Sequence, residues 1–180
     1  FPKTEAILAN APTNTRTEEV LFVINMKRAW QFLLDNLNYD NCIALLREYD
    51  KIVGELLFHY AGEIGTIPVQ IGGTSWEPEM PHAGIIMDML DEIEQIEDVE
   101  QKALKYFCYI ARTQMFIDGN KRVAQLMANK VLIENDVGIF QIPIERLEEF
   151  KGMLLEFYES GDDVKIIAFM KEYCIRRVRH

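Results

Sequence analysis

Apolar residues recur every three or four positions along most of this chain, and that rhythm restricts it to a packing of amphipathic helices. Phe22, Met26, Ala29, Leu33 and Leu37 mark one face of a first helix, with Thr15 and Thr17 ahead of Glu18 and Glu19 as its cap and acidic first turn. Asp40 or Asn41 is expected to open a second, in which Leu45, Tyr49, Ile52, Leu56 and Tyr60 keep the spacing. Further helices are expected over about 83–95, 99–115, 120–135, 144–159 and 162–178. Residues 136–143 read as a turn followed by a short extended piece. Aromatic side chains in these stripes, Trp30 included, read as core.

The rhythm breaks for longest over residues 66–81. Thr66-Ile67-Pro68-Val69-Gln70-Ile71 alternates and leads into Gly72-Gly73, and prolines stand at 68, 78 and 81. That pattern predicts a short β-hairpin whose first strand is an edge, because proline removes a ladder donor. An edge strand offers Val69, Gln70 and Ile71 to an extended segment of a partner. The fold class is therefore mostly α with one small β-hairpin. Residues 1–15 read as an N-terminal extension and 16–180 as a single domain, large enough to need no disulfide or metal staple.

A net charge of −10 repels phosphate backbones and argues against general nucleic-acid binding. No apolar run reaches the ~20 residues of a membrane span, so no membrane partner is expected. The run Arg176-Arg177-Val178-Arg179-His180 reads as a solvated tail at a helix end. Cys42, Cys108 and Cys174 are far apart and set among apolar residues, which fits buried thiols in a reducing, cytoplasmic setting.

One loop carries chemistry: Asp118-Gly119-Asn120-Lys121-Arg122, between two expected helices. A helix N-terminus presents unpaired N–H groups, and Gly119 lets successive N–H groups curl around an anion. Lys121 and Arg122 concentrate positive charge there, and Asp118 is a hard oxygen ligand suited to Mg²⁺ beside phosphate. By itself the same stretch also reads as an ordinary Asp-Gly-Asn turn capping a helix.

Phe116-Ile117-Asp118-Gly119-Asn120-Lys121-Arg122 resembles the motif of the Fic/Doc family, His-x-Phe-x-Asp/Glu-Gly-Asn-Gly/Lys-Arg-x-x-Arg. Val69-Gln70-Ile71-Gly72-Gly73 with Trp76 and Pro78 looks like the flap that precedes that motif, and the similarity runs from about Val20 to Ile175. The resemblance implies a helical domain that binds ATP or another nucleotide with Mg²⁺ and moves AMP or phosphate to a hydroxyl of a protein target. Gly119, Asn120, Lys121 and Arg122 would hold the phosphates, Asp118 the metal, and Val69–Ile71 the target.

The departures are as informative. Gln114 stands where the family keeps its catalytic histidine, and a carboxamide cannot take a proton near neutral pH. Losing a general base commonly costs ~10²–10⁴ in rate. Gln125 replaces the last arginine of the motif, and Lys121 replaces its commoner glycine, as in the phosphoryl-transferring Doc branch. The arginine often found before the flap is missing from Gly62-Glu63-Ile64-Gly65. Thr4–Asn10 has the flavour of the family's inhibitory helix, but no glutamate falls in register. His59 and His82 read as structural or surface residues, His82 being near enough to the flap to reach back. The expectation is a nucleotide- or phosphate-binding domain impaired for transfer. The alternatives are an active transferase or kinase with another base, and a helical interaction module.

Overall fold

The computed structural model describes Thr4, residues 16–65, Val69 and residues 71–177. Helices α1 (Thr17–Asp35), α2 (Ile43–Gly54), α3 (Ala83–Glu94), α4 (Val99–Thr113), α5 (Asn120–Glu134), α6 (Leu147–Ser160) and α7 (Val164–Tyr173) make up most of these residues. Two short strands, β1 (Gly138–Phe140) and β2 (Ile175–Arg177), complete them. The mostly α reading stands.

α4 and α5 form the central pair, with α1 and α2 against one side of α5 and α7 against α4. α5 is buried nearly all round. Val123, Leu126, Met127 and Val131, expected to face the core, are at most 1% exposed. Lys130 is buried as well, and its ammonium is satisfied by Asn41 Oδ1 at 2.8 Å and by Glu134 at 2.5 Å. An unpaired charge at that depth would cost several kcal/mol. Asp98 caps α4, its carboxylate accepting the Gln101 N–H at 3.0 Å.

Several expected boundaries move. α1 is capped by Arg16 and α2 by Cys42, neither with a side-chain bond, whereas Thr15 lies outside the described residues. α2 stops at Gly54, so Leu56 and Tyr60 leave the core stripe and stand exposed at positive φ. Gly54 explains the stop: a Cβ there would lie 2.3 Å from the Phe58 ring, which folds back across the helix end.

The last helix ends at Tyr173 instead of continuing to 178. Ile175–Arg177 pairs antiparallel with Gly138–Phe140, the two chains meeting so closely that a Cβ on Gly138 would sit 2.2 Å from Arg176 O. Arg176 and Arg177 thus belong to a strand, and Arg177 is tied to Glu100, instead of forming a free tail. Residues 178–180 lie outside the described residues. The helix expected from 144 begins as a 3₁₀ turn, Ile144–Arg146, ahead of α6.

In the expected flap, Val69 and residues 71–80 carry no strand, and Gly72-Gly73 form a turn. Thr66, Ile67, Pro68 and Gln70 lie outside the described residues. The segment that follows is fastened to the end of α6. Glu159 accepts hydrogen bonds from the Ser75 N–H and the Thr74 and Ser75 hydroxyls, and Trp76 stacks on Tyr158. No helix among the described residues is long and apolar enough to cross a membrane. Cys108 and Cys174 are buried free thiols and Cys42 is half-buried.

Candidate phosphate-binding loop

α4 ends at Thr113 and the chain turns through Gln114, whose φ of 49° places a non-glycine residue in the left-handed region. That conformation costs roughly 1–2 kcal/mol. The side chain offsets it locally. Gln114 Nε2 donates to Ala111 O at 2.5 Å, and Oε1 accepts from Asn120 Nδ2 at 3.1 Å. Gln114 therefore acts as a C-cap for α4, with both ends of its amide engaged by the protein.

Asn120 closes the loop from the other side. Its Oδ1 accepts the Phe116 N–H at 2.9 Å, and its Nδ2 donates to Phe116 O at 2.7 Å as well as to Gln114. Phe116 is fully buried and anchors the loop into the core. Met115 O accepts the Gly65 N–H at 2.6 Å, which joins the loop to the chain entering the flap region.

α5 starts directly after Gly119, at φ 85°. Two constraints select glycine here: the left-handed backbone, and Asp50, whose Oδ1 would lie 2.4 Å from an added Cβ. Arg122 N and Val123 N turn back to Gly119 O. The Asn120 and Lys121 N–H groups have no backbone partner among the described residues, as the first turn of a helix dictates. They are the pair an anion would meet.

The Arg122 guanidinium donates to Asp118 Oδ1 at 3.1 Å and lies 5.0 Å from the Phe22 ring and 5.8 Å from that of Phe58. Asp118 Oδ1 also accepts the Gly119 N–H at 2.6 Å. Beside this pair opens a cavity of about 750 Å³, whose walls include Glu18, Glu19, Phe22, Phe58, Asp118 and Arg122. Among its described lining residues Arg122 is the cation, beside the carboxylates of Glu18, Glu19 and Asp118.

The structure brings Gln114, Asp118, Gly119, Asn120 and Arg122 into one turn. Lys121 is exposed and, with Gln125, does not border the cavity. Val69 and Ile71 are half-buried. His59 is exposed beside Tyr60, and His82, at the start of α3, lines a different cavity. Among the described residues no group of three or more acidic, histidine or cysteine side chains is arranged to hold a metal.

Asp50 escaped the sequence reading. It is fully buried on α2 and its Oδ2 accepts the Gly62 N–H at 2.8 Å, while Oδ1 finds no hydrogen-bond partner. Burial pushes its carboxyl up to about 7, against the opposing pull of the Gly62 N–H and of the Arg122 charge. Its only sequence signal is its place beside Tyr49. Nothing there separates it from half-buried Glu48 and exposed Lys51.

The model of the Fic/DOC family matches residues 42–132, just over half of the chain. No curated protein matches the sequence. Among solved structures, residues 134–508 of Fic-1 from C. elegans superpose with a TM-score of 0.75 at 23% identity, over 94% of this chain and 52% of that one. A Fic family protein from Desulfovibrio desulfuricans G20 gives 0.76 at 16% identity, over 94% and 55%. A Fic-domain signaling protein from Bacteroides thetaiotaomicron VPI-5482 gives 0.71 at 18%, over 95% and 74%. The chain spans about half the length of the first two. At these identities the superpositions speak for the fold, and the family match covers the loop and the helices on both sides of it. The chain belongs to the Fic/DOC family.

Proposed function

We propose that this domain binds a nucleotide or another phosphorylated ligand at the Asp118–Arg122 loop and is impaired in AMP or phosphate transfer to protein hydroxyls. The observation that carries the reading is the state of Gln114. It occupies the position of the family's base, yet its amide is engaged by Ala111 and Asn120. It has neither the proton chemistry nor the freedom of a general base.

Support for binding comes from the first turn of α5. Asn120 and Lys121 supply N–H groups, and Arg122 of the same turn lines a cavity of a size suited to a nucleotide. Glu18 and Asp118 border the same space, so a polyphosphate entering it needs a counter-cation. Mg²⁺ fits that need. Asp118 is 62% exposed and only its Oδ1 is tied to the loop, which leaves one hard oxygen for an ion that keeps its waters and takes the rest of its shell from phosphates. When bound, such an ion would neutralise charge on the phosphates. A protein target would present an extended segment near Val69–Ile71, as flap-bearing relatives imply.

Nucleotide labelled at the α- or the γ-phosphate, incubated with wild-type and Gln114→His protein plus magnesium, tests the reading. Little transfer by the wild type and a rise of up to ~10²–10⁴ in the histidine variant are expected. Strong wild-type labelling that survives Gln114→Ala would overturn impairment.

A further inference from the structure

Two residues before Gln114, Arg112 turns away from the loop and borders a second cavity of about 560 Å³. Its walls come from α3, α4, the end of α6 and residues 76–82, and it shares no lining residue with the cavity beside Arg122. Ile85, Ile86, Met89, Ile93 and Phe157 give it an apolar side opposite a charged one, and its volume suits a small organic molecule.

The guanidinium is held in place with its charge unanswered. Its Cζ lies 4.1 Å above the Trp76 ring, and Nε donates to Tyr158 O at 3.3 Å. On another side it lies against Gly161, where an added Cβ would meet Cζ and Nη2 at 3.4 Å. Among the described residues neither terminal nitrogen has a hydrogen bond, and no carboxylate comes within ion-pair distance. The other cation of the cavity, Lys105, is already paired with Asp163 at 2.7 Å. Burial also draws Arg112 below its usual range, as expected where no counter-charge compensates lost water. Close by, the buried Tyr158 hydroxyl lacks any hydrogen-bond partner and lies near enough to the cavity-lining Cys108 to interact with it electrostatically.

We propose that this cavity binds a small organic monocarboxylate, its apolar body between α3 and α4 and its carboxylate on the open edge of Arg112. A guanidinium fork matches a planar carboxylate with two parallel hydrogen bonds, and stacking on Trp76 fixes its plane in advance. A monoanion is favoured over a phosphate ester because Glu77, Glu79 and Asp163 line the same space against Arg112 and Lys105. The described lining already carries three carboxylates against two cations, so a second negative charge on the ligand would be repelled more strongly than one.

Phenylacetate, 4-phenylbutyrate and octanoate, each beside its neutral alcohol, are to be titrated into the full chain by calorimetry. At least one carboxylate should bind about tenfold more tightly than its alcohol. Arg112→Met should remove that difference, and Arg122→Ala should leave it unchanged. Ile85→Trp, at a surface position 62% exposed that borders the cavity, should block binding without altering the arginine, which guards against misfolding of the Arg112 variant. No carboxylate surpassing its alcohol, or a preference surviving Arg112→Met, would overturn the proposal. Tighter binding of 4-phenylbutyl phosphate than of 4-phenylbutyrate would overturn the monocarboxylate assignment.

Discussion

Asp50 and Gly119 lie so close that a Cβ on the glycine would come within 2.4 Å of Asp50 Oδ1. The contact fixes the 118–122 loop against α2, and it brings a buried carboxyl with an unpartnered oxygen to the start of α5. Gly119→Ala meets both the left-handed backbone and this clash. The expected loss of stability is about 2–5 kcal/mol, the sum of the conformational and overpacking costs. Urea unfolding measures it, and a loss below about 0.5 kcal/mol would mean the loop does not sit as described.

The same carboxyl predicts a pH dependence. Its folded value, about 7, lies above the ~3.9 of an unfolded aspartate, so the folded state holds a proton that the unfolded state has released. Stability from this group is therefore full below about pH 4 and is lost as pH rises to about 7, by at most roughly 4 kcal/mol. Asp50→Asn removes the titration. Unfolding midpoints between pH 5.5 and 8 should decline less in the variant than in the wild type, and parallel profiles would contradict the assignment.

Asn120 and Gln114 should separate by energy. Asn120→Ala strands the buried N–H and C=O of Phe116 and releases Gln114, at an expected cost of about 2–4 kcal/mol. Gln114→Ala gives up bonds at a half-buried position and should cost about 1 kcal/mol. Equal losses would show that the loop is not closed through Asn120.

Much of this arrangement is written locally in the chain. The apolar stripe that puts Val123, Leu126, Met127 and Val131 in the core depends on helical period alone, and Asp-Gly-Asn marks the turn into α5. Termini that depend on distant partners are not local. α7 stops at Tyr173 because Ile175–Arg177 finds the β1 strand some 35 residues upstream, and α2 stops at Gly54 because Phe58 folds over it. Asp50 became part of the site only through the packing of α2 on the loop, and Arg112 only through Trp76 and Gly161. Asn120, read from sequence as a phosphate ligand, spends its side chain on holding the loop shut.

Binding of Mg²⁺-ATP, titrated by calorimetry into the wild type and Arg122→Ala, tests the central claim most directly. Arg122 lines the cavity from the first turn of α5, so its loss should weaken binding by about 1–3 kcal/mol, or roughly 5- to 150-fold. No binding by the wild type, or equal affinity of the two proteins, would contradict it.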